Sequence, residues 1–281
     1  MTAPRRFTRR MLAVAPAVAL LAILGGEARA SFYAYAVQQT DTYTFTGATL
    51  GAFSPLSSTS SAQVGSPSGS EGHSGGLDAL QSYVGPIAGR PAENTFTALG
   101  QVNPDYARGD SLVTVPPSAL TTSNVAESFM VSAGGNSSAS GSWSVNAPFT
   151  IGTPGTVTLG FHFLNQLTVL HTGVPGGTVA ADYGYTFTIR DANGSSVFTS
   201  SPNAVNLNGS LSAAGSISTP GSGTLAITSG TLAVGSYTAT LSGSEHTFIN
   251  SNPVPEPSSC VLLGLGCLGV LGLARGRGRT A

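Results

Sequence analysis

The chain has 281 residues, of which 37 are glycine and only 8% are charged, with a formal net charge of −1 and no lysine. That near-neutrality hides an imbalance: residues 31–257 carry three arginines against eleven acids, a net of −8, while the remaining arginines sit in the two termini. An acidic body without a basic footprint excludes nucleic-acid binding and disfavours anionic membranes and polyanions as partners.

Residues 1–30 read as a signal peptide. Arg5, Arg6, Arg9 and Arg10 form a basic start, residues 11–25 an apolar run, and Ala28-Arg29-Ala30 a small-x-small cleavage site. Signal peptidase is thus an expected partner, with Ser31 as the mature N-terminus. The pair Arg9-Arg10 hints at a twin-arginine signal but lacks its usual following residues, which favours the general secretory route.

Residues 31–120 form the less regular, loosely structured N-terminal part of a β domain. Strands are expected at 32–37 and 43–50, a mobile Ser/Gly-rich loop at 57–76, and a short helix at 77–84. Three short motifs fall here. Gly72-His73-Ser74-Gly75-Gly76 fits the spelling of a nucleophile elbow, but residues 66–71 are no strand and chance explains the match in so Ser- and Gly-rich a chain. Gly109-Asp110-Ser111-Leu112 resembles the motif of a class of serine esterases. That resemblance implies a preceding buried strand, not expected over 103–108, and a late Asp-x-x-His, which the chain lacks. Arg108-Gly109-Asp110 also spells the adhesion tripeptide, and an ordinary turn or strand entry is the simpler reading.

Residues 121–250 are more regular. Val157, Leu159, Phe161 and Phe163 alternate with small or polar residues; so do Tyr183, Tyr185, Phe187 and Ile189, and again Tyr237, Ala239 and Leu241. Period two with one apolar face predicts half-buried antiparallel strands. Asp191-Ala-Asn-Gly194 predicts a hairpin turn into residues 195–199. The expected fold is all-β: an antiparallel, jelly-roll-like β-sandwich with its core in residues 121–250, and with apolar helices at either terminus outside the domain. Trp143, Tyr183, Tyr185 and Tyr237 are expected to pack in the core rather than to stack on sugars. His73, His162, His171 and His246 are scattered without zinc spacing, His162 and His246 being expected to face solvent. Asp182, Asp191 and Asn193 offer oxygens to calcium, but no loop has a dense Asp/Asn run. No metal, cofactor or catalytic residue is assigned.

Residues 251–281 close the chain with three parts in order: Val254-Pro255-Glu256-Pro257, an apolar run at 260–274, and Arg275, Arg277 and Arg279. Fifteen residues of helix span about 22 Å, short of a hydrocarbon core of about 30 Å, so the run is a marginal anchor. Its arginines belong on the cytoplasmic side, leaving the body outside. The prolines keep the motif extended for a processing enzyme to grip. Both cysteines, Cys260 and Cys267, lie here, so the body has neither a disulfide nor a thiolate metal site.

This tail closely resembles the PEP-CTERM sorting signal of Gram-negative bacteria that make exopolysaccharide. The resemblance implies an exosortase-type processing enzyme as partner, cleavage near Pro255-Glu256-Pro257, only transient membrane anchoring, and delivery to the cell surface or extracellular matrix. A weaker likeness, through residues 235–242 and 106–111, points to other secreted sandwich domains of that family, which imply no chemistry. The expected function is a non-catalytic structural role in the exopolysaccharide matrix. The alternatives are a carbohydrate-binding module for the cell's own exopolysaccharide and, third, a serine esterase using Ser74 or Ser111.

Overall fold

A computed structural model describes residues 31–65, 68–101, 104–115, 120–131, 134–172 and 176–251. The expected signal peptide with Ala28 and Ala30, the motif Val254 to Pro257, both apolar segments and Arg275, Arg277 and Arg279 lie outside the described residues. Ser31 opens the first strand. In chain order the strands are β1 (Ser31–Thr46), β2 (Ser54–Gly65), β3 (Ser68–Gly75), β4 (Asp78–Val84), β5 (Tyr106–Thr114), β6 (Thr121–Met130), β7 (Asn136–Ile151), β8 (Thr158–Thr172), β9 (Thr178–Asp191), β10 (Ser196–Ser200), β11 (Leu207–Leu211), β12 (Gly215–Thr228) and β13 (Gly235–Asn250). The described residues also hold two single turns of 3-10 helix, neither long nor apolar enough to cross a membrane.

These strands form two antiparallel sheets. The first has the order β12-β8-β1-β6-β5-β4; the second runs β10-β9-β13-β7-β2-β3, with β11 also pairing β9. β7, β8, β9 and β13 alternate between buried and exposed positions almost without a break, as the period-two pattern predicts. The turn after β9 is the expected hairpin: Gly194 takes φ +81°, its N–H donates to the Asp191 carbonyl at 2.9 Å, and the Asp191 carboxylate accepts the Asn193 and Ser195 N–H groups. Trp143, Tyr185, Phe187 and Leu241 belong to one buried cluster between the sheets; Phe32, Met130, Leu167 and Ile249 belong to a second. Each fully buried large apolar side chain contributes about 1.5–3 kcal/mol.

The N-terminal part departs from expectation. Residues 57–76, expected as a mobile loop, pair as the β2–β3 hairpin. Side-chain hydroxyls bridge β2 to β7, Thr59 to Ser142 at 2.6 Å and Ser61 to Ser140 at 2.8 Å. Small hydroxylated residues carry no apolar alternation, yet they make a serviceable ladder once a neighbouring strand supplies the pairing. Residues 78–84, expected as a helix, form β4 instead. β1, β5 and β6 are central and buried on both faces over much of their length, so they lack the alternation that marks a half-buried strand.

The covering of the first sheet's outer face is the feature that positions the site. Tyr33, Tyr35, Tyr83, Tyr106, Val125 and Phe129 cluster there, with Phe96 and Leu99 packed against them. The covering chain is segment 85–101, in the connection from β4 to β5.

Candidate functional site

The cover segment is held by a buried ion pair. Alternation along β5 sends Arg108 and Asp110 to the outer face, while Gly109 faces the second sheet. The Arg108 guanidinium meets the Glu127 carboxylate of β6 at 2.8 Å, both side chains being fully inaccessible. Arg108 also donates to the Thr95 and Thr97 carbonyls at 3.0 and 2.9 Å. Glu127 accepts the hydroxyls of Tyr33 and Tyr106 at 2.7 and 2.8 Å and the N–H groups of Leu99 and Gly100 at 2.9 and 3.0 Å. Burial first, then the Glu127 charge, push both phenols well above their ordinary range, so they serve as donors. This arrangement ties the cover to the sheet and hides the adhesion tripeptide: Arg108 and Asp110 are both inaccessible.

One turn of chain away lies a set of oxygens. Carboxylate oxygens of Asp78 on β4, Glu93 on the cover and Asp110 on β5 all lie within 4.8 Å of one another. Asn94 sits among them at φ 57°, its N–H donating to Asp110 Oδ2 at 3.0 Å and its Nδ2 to Asp78 Oδ2 at 3.3 Å. Glu93 Oε1 accepts the Gln81 N–H. Asp78 Oδ1, Asp110 Oδ1, Asn94 Oδ1 and Gln81 Oε1 are buried and accept no hydrogen bond. Burial first, then the Glu93 charge, push the Asp110 carboxyl up to about 6. The nearby guanidiniums are engaged elsewhere, Arg90 on Glu71 and the Gln81 carbonyl and Arg108 on Glu127.

The cover also forms one wall of a groove of about 530 Å³ on the same face. Tyr35, Val37 and Gln39 of β1, Leu164 and Gln166 of β8, and Pro220 of β12 line it beside residues 96–98.

The residues weighed from sequence fall elsewhere. Ser111 is fully buried within β5, a buried strand where none was expected, and donates to the Ser142 carbonyl at 2.8 Å. Ser74 is the penultimate residue of β3, opposite Thr59. Its neighbour His73 pairs with Glu71 at 2.9 Å, but strand alternation turns the serine to the other face. Asp182 and Asp191 lie nine residues apart on β9, about 30 Å along an extended strand, and form no common site. His162 and His246 face solvent beside Asp41 and Asp182, as expected. Trp143, Tyr183 and Tyr185 are core residues, and Tyr237 stacks on Phe149 at 5.5 Å. The oxygen cluster was not legible: its members are spread over residues 78–110, and only the adjacent pair Glu93-Asn94 gives any local hint. No family model matches the chain, and no curated protein or solved structure resembles it significantly.

Proposed function

We propose that the chain is an exported, non-catalytic component of a cell-surface or extracellular matrix, sorted by its C-terminal signal. The observation that carries this reading is the ordered tail: Val254-Pro-Glu-Pro257, the apolar run, then three arginines. The body is consistent with it. Its inaccessible ion pair braces the fold, and neither Ser74 nor Ser111 stands in the setting a serine nucleophile needs, which weakens the esterase alternative. The same reading takes the two antiparallel sheets as a jelly-roll-like sandwich with apolar helices outside it at either end. An exosortase-type enzyme would remove the tail, so the chain would touch the membrane only in transit.

Intact mass and C-terminal sequencing of the protein from its host, fractionated into membrane, surface and medium, test this. A chain running from Ser31 to near Glu256 outside the cell is expected. A chain still ending at Ala281 in the membrane would overturn it.

A second reading, a module that binds the cell's own exopolysaccharide, is favoured by the outer-face groove. There the carboxamides of Gln39 and Gln166 flank apolar Val37 and Leu164, a mixture suited to a polyhydroxylated chain. Retention on immobilised native polysaccharide, weakened by Gln166→Ala, is the expected result for that reading. Equal passage of both forms would remove it.

A further inference from the structure

The oxygen cluster beneath the cover has the chemistry of a hard-cation site. Its donors are oxygens alone, with no nitrogen or sulfur among them, which selects magnesium, calcium or manganese over zinc or copper. Three carboxylates, Asp110 buried, Asp78 half-buried and Glu93 exposed, bring negative charge together, and no guanidinium among the described residues pairs with it. An acidic cluster alone would be unremarkable, since such groups often sit together at a surface. The independent observation is Gln81. This neutral side chain is fully buried, turns its Nε2 toward the Asp110 carboxyl, which it helps to stabilise, and also donates Nε2 to the Ala92 carbonyl at 3.3 Å. Its Oε1 is left without a donor. A buried carboxamide oxygen in that position costs about 1–3 kcal/mol unless something positive meets it. Asn94 repeats the pattern: both its N–H groups are used within the cluster, and its Oδ1 is not.

The division of labour among the carboxylates is consistent with this. Asp78 gives one oxygen to Asn94 and keeps the other, Oδ1, free of donors, while Asp110 accepts the Asn94 N–H on Oδ2 and also meets the Gln81 side chain and the Ser111 N–H. Calcium–oxygen distances of about 2.3–2.6 Å put ligands on opposite sides of the ion about 5 Å apart. The three carboxylates, each with an oxygen within 4.8 Å of the other two, already have that size. Magnesium needs a smaller, near-octahedral shell and gives up water reluctantly. Five irregularly disposed side chains from three segments suit calcium better.

We propose that Asp78, Gln81, Glu93, Asn94 and Asp110 bind one calcium ion, with water completing the shell, and that the ion locks the cover segment onto the first sheet. β4 and β5 supply three ligands and the cover supplies two, so the ion joins the cover to the sheet at a point separate from the Arg108–Glu127 pair. Residues 96–98, which wall the groove, follow the cover ligands directly. Calcium would therefore set the groove's shape as well as the protein's stability. Three carboxylates with solvent on one side place the affinity in the class of extracellular modules, a Kd of about 0.1–1 mM. The site itself does not depend on the sorting reading.

The test uses the full-length chain in detergent, stripped with EDTA, then titrated with calcium or magnesium chloride while binding heat and thermal unfolding are recorded. One calcium per chain is expected, with the unfolding midpoint raised by about 5–10 °C at a hundredfold excess over Kd and little response to magnesium. Hydrogen exchange in residues 87–101 should slow in calcium. Asp78→Asn and Asp110→Asn keep shape and remove charge, so each should raise the midpoint in EDTA and abolish the calcium response. Asp41→Asn, on an exposed acid elsewhere, should retain it. Absence of binding heat, an equal response to magnesium, or a full calcium response in both cluster variants would overturn the proposal.

Discussion

Arg108 and Glu127 show how a buried charge is made tolerable. Taking either ion out of water costs several kcal/mol, and only a paired, fully bonded geometry offsets that. Here the guanidinium and carboxylate contact each other, two carbonyls, two phenols and two backbone N–H groups, with only the Arg108 Nε left without a partner in this group. Arg108→Met should therefore cost about 3–5 kcal/mol in urea unfolding, because it strands the Glu127 charge. Adding Glu127→Gln to that variant should recover part of the loss, which a purely steric role for Arg108 would not allow.

Glu245 is the opposite case. It is buried between the sheets, facing a row in which Asn124, Gln38 and Asn165 stand side by side across β6, β1 and β8. Burial first, and then the Asp182 charge, raise its carboxyl well above the ordinary value, although the Asn124 side chain opposes them. A carboxyl raised on folding binds its proton more tightly in the native state than in the unfolded chain. It costs nothing below the unfolded pKa, and it destabilises the fold increasingly as pH rises above it. Glu245→Gln should thus raise the unfolding midpoint at pH 7–8, by about 2–4 °C for each kcal/mol recovered, and the gain should vanish near pH 4. A gain equal at both pH values would show that the carboxyl's proton is not involved.

Among elements, the hairpin β2–β3 and the strand β4 matter most, because they were the least expected. The edge strand β4 is capped by carboxylates. Glu71 Oε2 accepts the Tyr83 N–H at 2.8 Å, and Glu93 takes that of Gln81, so N–H groups along β4 that would otherwise stay open are capped. Behind them the two sheets approach closely. Ala62, Ala107, Ala126 and Ala139 form the local core. A Cβ on Gly109 would lie 2.1 Å from the Ser140 carbonyl and 2.5 Å from that of Ser61. Gly109→Ala must push the backbones apart and should cost about 1–3 kcal/mol in the same assay. This explains why residues 57–76 look like a linker. Where two backbones nearly touch, small residues are what packing requires, and a composition that signals mobility in isolation here signals proximity.

For the whole molecule, the burial pattern orders local stability. β1 lies at the centre of the first sheet, with the sandwich interior on one side and the cover on the other, and is continuously buried from Phe32 to Gln38. Native-state hydrogen exchange should be slowest there and fastest in the exposed strands β10 and β12. The amides of β1 exchanging as fast as those of β12 would mean that the cover opens readily.

The all-β class, the hairpin at Asp191-Gly194 and the core roles of Trp143, Tyr183 and Tyr185 could all be read from sequence. In β7, β8, β9 and β13 one face meets the core and the other meets water, and that contrast writes itself into successive residues. The C-terminal pattern on which the sorting proposal rests can be seen in the chain for a similar reason, its three parts being contiguous. What only the tertiary structure decided was non-local. β1, expected as strands at 32–37 and 43–50, is one continuous strand, while β5 and β6 are buried on both faces, so little contrast marks them. The Ser-rich hairpin exists because β7 offers it a partner. Asp78, Gln81, Glu93, Asn94 and Asp110 become one cluster only when β4, the cover and β5 are folded against each other, since a ligand set assembled across three segments leaves no spacing along the chain to recognise.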